Sequence, residues 1–207
     1  MRSKDLLSPF WELLPLEGLG PIRFLMRKSE VQDYKEIGLI TYENKESLEQ
    51  KKKNLEDTFN QFSEFFTAED LKNAMDALQI VGEELDDVCT ESRDSGISLE
   101  YKADQLTEIL ADNRAQQLHF RGIPIFSTDP IQLLTQMSKL FKEDPIIKGE
   151  ELIFPNHKLF LFSFLEEQGK GKYREGNKRN RTIIWRNTHR PYSVELSEYR
   201  QIKLINE

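Results

Sequence analysis

The side chains with the strongest chemistry in this chain are few and scattered. His119, His157 and His189 are its 3 histidines, and Cys89 is its 1 cysteine. A zinc site gathers about four nitrogen or sulfur ligands, usually from closely spaced pairs. The three histidines fall on separate segments, none at i,i+4 or short-loop spacing from another, and one thiol cannot make a thiolate cluster. Asp86-Asp87 lacks the glycine and the alternating oxygen ligands of a calcium loop. Nucleophilic catalysis needs a nucleophile held by a base that is itself oriented by a third group. No Gly-x-Ser-x-Gly elbow occurs, and Cys89 falls in an acidic stretch, a setting that makes a thiol less reactive. Gly169-Lys170-Gly171-Lys172 supplies glycines and lysines without the spacing of a phosphate loop or the apolar helix that should follow it. The expectation is a chain that is not an enzyme and has no metal or cofactor.

Charge is the property this sequence distributes unevenly. Residues 43–112 carry 19 Asp and Glu against 7 Lys and Arg, a net of −12, whereas residues 170–190 carry 8 Lys and Arg against 1 Glu, a net of +7. The whole chain of 207 residues has a formal charge of −7. Such sorting bears on association rather than on fold. Acidic candidates for partner contact are Glu83, Glu84, Asp86 and Asp87. Basic candidates are Lys172, Arg174, Lys178 and Arg179, with Tyr173 and Trp185 as exposed aromatic anchors. Basic residues interleaved with an aromatic also suit a single-stranded nucleic acid. That alternative is disfavoured by a sequence pI near 5.2, because nucleic-acid proteins concentrate positive charge over a whole face.

The elements that must present these groups follow from periodicity. At 38% hydrophobic and 31% charged, with 13 Phe, the chain can bury a core beneath a heavily solvated surface. Residues 1–21 form an entry segment packing through Leu6, Leu7, Phe10, Trp11, Leu13 and Leu14. Pro9 and Pro15, with Asp5 and Glu12, deny it the uninterrupted apolar run of a secretory signal. No stretch reaches the roughly 20 apolar residues of a membrane helix, so a soluble, cytoplasmic chain without membrane contact is expected.

Ile22–Met26 alternates like a strand, Ser29 and Gln32 stand at capping-box spacing, and Leu39–Tyr42 suits a second short strand. Within an insert at residues 46–92, Leu55, Phe59, Phe62 and Phe66 recur at helical spacing, as do Leu71, Met75, Leu78, Leu85 and Val88. This predicts an acidic, amphipathic helical hairpin whose apolar stripe packs in the core. Cys89 is expected at its end as a small buried residue on the helix. Ile97, Leu99 and Tyr101 alternate, and strands are expected again at residues 106–110, 118–120 and 123–125. Thr128-Asp129-Pro130 begins a helix with its buried face at Ile131, Leu134, Met137 and Phe141. Strands follow at 152–154, 158–165, 182–185 and 199–205, with residues 168–181 as a flexible basic loop. The sum is a single α+β domain over residues 1–207, a mostly antiparallel sheet with an inserted acidic helical hairpin and one further packed helix.

Three segments in this order carry a resemblance. They are Gly18-Leu-Gly-Pro-Ile-Arg-Phe-Leu-Met26 running into Ser29-Glu30-Val31, Gly96-Ile-Ser-Leu-Glu-Tyr101 followed by Leu106 to Ile109, and Leu118-His-Phe-Arg-Gly-Ile-Pro-Ile-Phe126 running into the Asp129-Pro130 helix. Together they resemble small bacterial immunity-type proteins encoded beside polymorphic or contact-dependent toxins. The resemblance covers about half the chain and rests on glycines, aromatics and helix caps. It excludes the 46–92 insert and the basic stretch. What it implies is a role class: stoichiometric binding of a cognate protein toxin, without catalysis. Carboxylates on a helix suit a basic toxin such as a nuclease domain, since nucleases must be cationic to hold phosphates.

Overall fold

The computed structural model describes residues 7–45, 48–62, 65, 67–85, 88–169, 171–187 and 196–204. After a 3-10 turn at Pro9–Trp11 come the short strands β1 (Leu13–Leu14), β2 (Gly18–Leu19) and β3 (Ile22–Arg23). The one-turn helix α1 (Lys28–Val31) leads to β4 (Ile40–Lys45) and the helical pair α2 (Leu48–Gln61) and α3 (Ala68–Leu85). The meander β5 (Val88–Arg93), β6 (Ile97–Lys102) and β7 (Gln105–Asp112) follows. A small hairpin, β8 (His119–Phe120) and β9 (Ile123–Pro124), precedes helix α4 (Pro130–Phe141). The chain continues through β10 (Ile146–Lys148), β11 (Glu151–Phe154), β12 (Leu159–Phe162), β13 (Leu165–Glu167), β14 (Tyr173–Glu175), β15 (Thr182–Arg186) and β16 (Arg200–Gln201).

Nine of these strands make one antiparallel sheet in the order β16-β10-β11-β12-β15-β7-β6-β5-β4. Its register explains the core. Ile97, Ala111, Ile183, Leu161, Leu152 and Ile147 are successive cross-strand partners and all are fully buried. A second row, Leu99, Ile109, Trp185, Leu159 and Phe154, lies parallel to it and is equally buried. Cross-strand neighbours share a face, so both rows point to the same side. There they join Trp11, Leu13 and Leu19 from the entry segment, Ile22 from β3, and Leu133, Leu134 and Met137 from α4 in one hydrophobic cluster. The other face carries a smaller cluster of Ile153, Phe160 and Tyr199. The α+β architecture expected from periodicity is therefore the one observed.

Several local expectations shift by a turn or change type. The capping box of α1 is built by Arg27 and Glu30, whose carboxylate accepts the Arg27 N–H at 2.7 Å, rather than by Ser29 and Gln32. Asp129 caps α4 through the Gln132 N–H at 3.0 Å with Pro130 at the first position, as its sequence dictates. The α4 buried face is rotated toward Leu133 and Ser138, leaving Ile131 44% exposed. The largest correction is β5. Val88 and Cys89 belong to a strand, not to the end of a helix, although Cys89 is buried as expected. The strand points Cys89, Glu91 and Arg93 inward. Two of these are charged, so no apolar alternation marks the strand.

Candidate partner-binding site

The inserted helices pack against each other. Thr67 and Asp70 open α3 with a reciprocal cap: Asp70 accepts the Thr67 N–H at 2.8 Å, and Thr67 Oγ1 accepts the Asp70 N–H at 3.2 Å. The hydrogen bonds from Thr67 hold the Asp70 carboxyl below its ordinary range. The apolar positions Leu55 and Phe59 on α2, and Leu71 and Met75 on α3, are only half-buried. The i,i+4 spacing of each pair gives its helix an apolar seam. Among the helix residues whose side chains are described, 52–61 and 68–76, none is buried and none belongs to the hydrophobic clusters. The expectation that this stripe packs in the core is therefore overturned for Leu55, Phe59, Leu71 and Met75. At the turn between the helices, Phe62 is 43% and Phe65 72% exposed. Phe66 lies outside the described residues. Glu83 and Glu84 occupy the last turn of α3, whose first turn carries Glu69 and Asp70. Asp86 and Asp87 lie outside the described residues.

The basic candidates occupy a different place and are more constrained than an aperiodic loop. Tyr173–Glu175 pairs antiparallel with Leu165–Glu167, which sets Arg174 opposite Glu166. Arg174 donates from Nε and Nη2 to the same Glu166 oxygen at 2.8 and 2.6 Å. Arg181 is buried, with Nη2 2.7 Å from Glu175 Oε1 and its guanidinium 5.1 Å from the Phe164 ring centroid. Lys178 lies 3.3 Å from the same Glu175 oxygen. The charges of Arg174, Lys178 and Arg181 are thus met by carboxylates of the β13–β14 hairpin. Lys172 and Arg179 remain exposed, and Tyr173 is half-buried against the core.

Trp185 is the clearest correction among the candidates. It is fully buried at the centre of the sheet, and its indole N–H donates to the Gly18 carbonyl at 2.8 Å. It is a core residue with a satisfied polar end, not an exposed anchor.

Two polar groupings went unrecognised in the sequence because they assemble residues far apart in the chain. One is a cavity of about 420 Å³ at the β4–β5 end of the sheet, lined by Lys28, Glu43, Lys45, Cys89, Tyr101, Ala103 and Asp104. Beside it Arg93 and Glu91 form a buried ion pair, Nη2 to Oε1 2.6 Å, and Arg93 also donates to the carbonyls of Tyr34 and Gly38. The other is His157, whose Nδ1 lies 2.7 Å from Glu143 Oε2 while its ring stacks on Phe141. Glu143 also accepts the Asn156 N–H at 3.0 Å, so this pair fastens the turn before β12 to the end of α4. A histidine and a carboxylate alone lack the nucleophile that a hydrolytic triad requires.

Among the described residues no group of three or more His, Cys, Asp or Glu stands together as metal ligands, and no helix is long and apolar enough to cross a membrane. No protein family, no curated protein and no solved structure matches this chain.

Proposed function

We propose that this chain is a non-catalytic binding protein of the immunity type, which neutralises a cognate bacterial toxin by stoichiometric docking in the cytoplasm. The observation that carries this reading is the exposure of Phe62 and Phe65 at the turn of a helical pair whose apolar residues Leu55, Phe59, Leu71 and Met75 lie outside the core clusters. Interfaces concentrate their energy in a few aromatic anchors surrounded by polar residues that set rate and specificity. The acidic first turn and last turn of α3 lie next to that turn and at the far end of the helix, which suits a basic partner surface such as that of a nuclease domain. A monomeric soluble fold has little reason to keep a ring 72% exposed at such a turn.

The test is co-expression of this chain with the C-terminal domain of the secreted protein encoded beside it, scored as cell survival, together with titration calorimetry of the purified pair. Protection with one-to-one binding supports the reading. Failure to bind or protect sinks it. The alternative is a nucleic-acid-associated protein using residues 170–190. Ion pairs from Arg174, Lys178 and Arg181 to Glu166 and Glu175 weigh against it. Its mark is affinity for a single-stranded oligonucleotide that falls steeply with salt.

A further inference from the structure

Cys89 sits on β5 directly between Lys45 of β4 and Tyr101 of β6. Lys28 enters from α1, so that its Nζ lies 3.3 Å from the Cys89 sulfur and 2.6 Å from Glu43 Oε2. All five residues line the cavity of about 420 Å³. The acidic surroundings implied by the sequence are thus answered, at the sulfur itself, by an ammonium. Burial works against that charge, but hydrogen bonds to Glu43 and Cys89 outweigh it and hold Lys28 above its ordinary value. Tyr101 is fully buried, yet its hydroxyl has no hydrogen-bond partner. Burial above all, and then the Glu91 carboxylate, push the phenol far above its usual range, so it keeps its proton. Phenylalanine would fill the same space without an unpaired hydroxyl, and buried polar groups are rarely left unpaired without a use.

We propose that this cavity is a peroxide site, in which hydrogen peroxide oxidises Cys89 and the resulting sulfenic acid is held by Lys28 and Tyr101. The sulfur lone pair forms an S–O bond as the O–O bond breaks. The thiol proton ends on the departing oxygen, so Cys–SH and H2O2 give Cys–SOH and water. Sulfur is oxidised by two electrons and peroxide is reduced. Lys28, 3.3 Å from the sulfur, and Tyr101, which lines the same cavity, are the donors available to stabilise the negative charge that develops on the departing oxygen, and then to hydrogen-bond the sulfenic oxygen. The chain has no second cysteine to form an intrachain disulfide, so the sulfenic acid persists until an external thiol condenses with it, releasing water.

This inference stands apart from the docking reading, and its test needs no partner. The purified full-length chain is treated with hydrogen peroxide in the presence of dimedone, and adduct formation is followed by intact mass. With one cysteine the adduct has a single possible site. The wild-type protein should gain one dimedone, and Cys89→Ser none. Tyr101→Phe and Lys28→Met should each slow the reaction about tenfold, the effect of losing one ordinary hydrogen bond at the reacting oxygen. Tyr101→Phe removes only an unpaired oxygen and should keep the fold, so it decides the matter if Lys28→Met does not fold. No adduct on the native chain, or an unchanged rate in Tyr101→Phe, overturns the proposal.

Discussion

Trp185 and Gly18 are 167 positions apart and are joined by an indole N–H to carbonyl hydrogen bond of 2.8 Å, wholly inside the core. This bond pins the entry hairpin to the centre of the sheet. Gly18 has φ +148°, and a Cβ placed on it would come within 2.0 Å of the Ile22 carbonyl oxygen. Trp185→Phe leaves a buried carbonyl without its donor, which costs about 1–3 kcal/mol. Gly18→Ala forces β2 and β3 apart and should cost more. Urea unfolding of both variants checks the order.

Arg93 and Glu91 are 2% and 0% exposed, and Arg93 ties the Tyr34 and Gly38 carbonyls to β5. Breaking a buried pair by removing one partner costs about 3–5 kcal/mol, because an uncompensated charge remains. Arg93→Met should therefore be severely destabilising. Adding Glu91→Leu should restore part of the loss, leaving the deficit of the two unpaired carbonyls. A double-mutant cycle on urea midpoints gives the coupling, and strict additivity contradicts the expectation.

Asp112 supplies an acid-side dependence. Burial works against its charge, but the Arg114 side chain at 2.7–3.1 Å and the Arg114 N–H at 2.9 Å outweigh it and hold the carboxyl below its ordinary range. A carboxyl lowered in the folded state stabilises above the unfolded value, about 3.9, and loses that contribution as pH falls through the folded value. Asp112→Asn should lower the urea midpoint at pH 7, with the difference from wild type shrinking below about pH 4. A constant difference across that window contradicts the assignment.

The inserted helices should be dispensable for folding. Lys45 and Cys89 are direct antiparallel partners, so the sheet leaves and re-enters at facing residues. Replacing residues 46–87 with a short Asn-Gly-type turn should leave a folded body with a cooperative thermal transition within a few degrees of the parent. Under the proposed immunity function, the same shortened chain should lose toxin protection. Phe62→Asp and Phe65→Asp in the full chain should change stability by less than about 0.5 kcal/mol, yet weaken partner binding at least tenfold as anchors do. Calorimetric binding beside thermal unfolding separates the two effects.

Much of the sheet was legible because its strands bury one face. Ile97, Leu99 and Tyr101 alternate in sequence and are all fully buried. The helical pair was legible from the Leu55–Phe59 and Leu71–Met75 spacings. Its packing was not, since an apolar stripe reads alike whether a core or only a neighbouring helix meets it. Strand β5 was hidden by Glu91 and Arg93, whose inward charges imitate a solvated stretch until their pairing is seen. The neutralisation of the basic segment depends on the register that sets Arg174 against Glu166, which no local pattern encodes. Trp185 gave no sign of its depth because its burial is decided by partners on β7 and β12.

The facing of Lys45 and Cys89 has an evolutionary side. A loop closed between fixed anchors grows costlier only with the logarithm of its length, about 0.6 kcal/mol for each doubling. The scaffold is therefore nearly indifferent to how long or how varied the intervening segment becomes. Under the proposed binding role, recognition can be rewritten by exchanging that segment wholesale, while the strands that carry it are inherited unchanged.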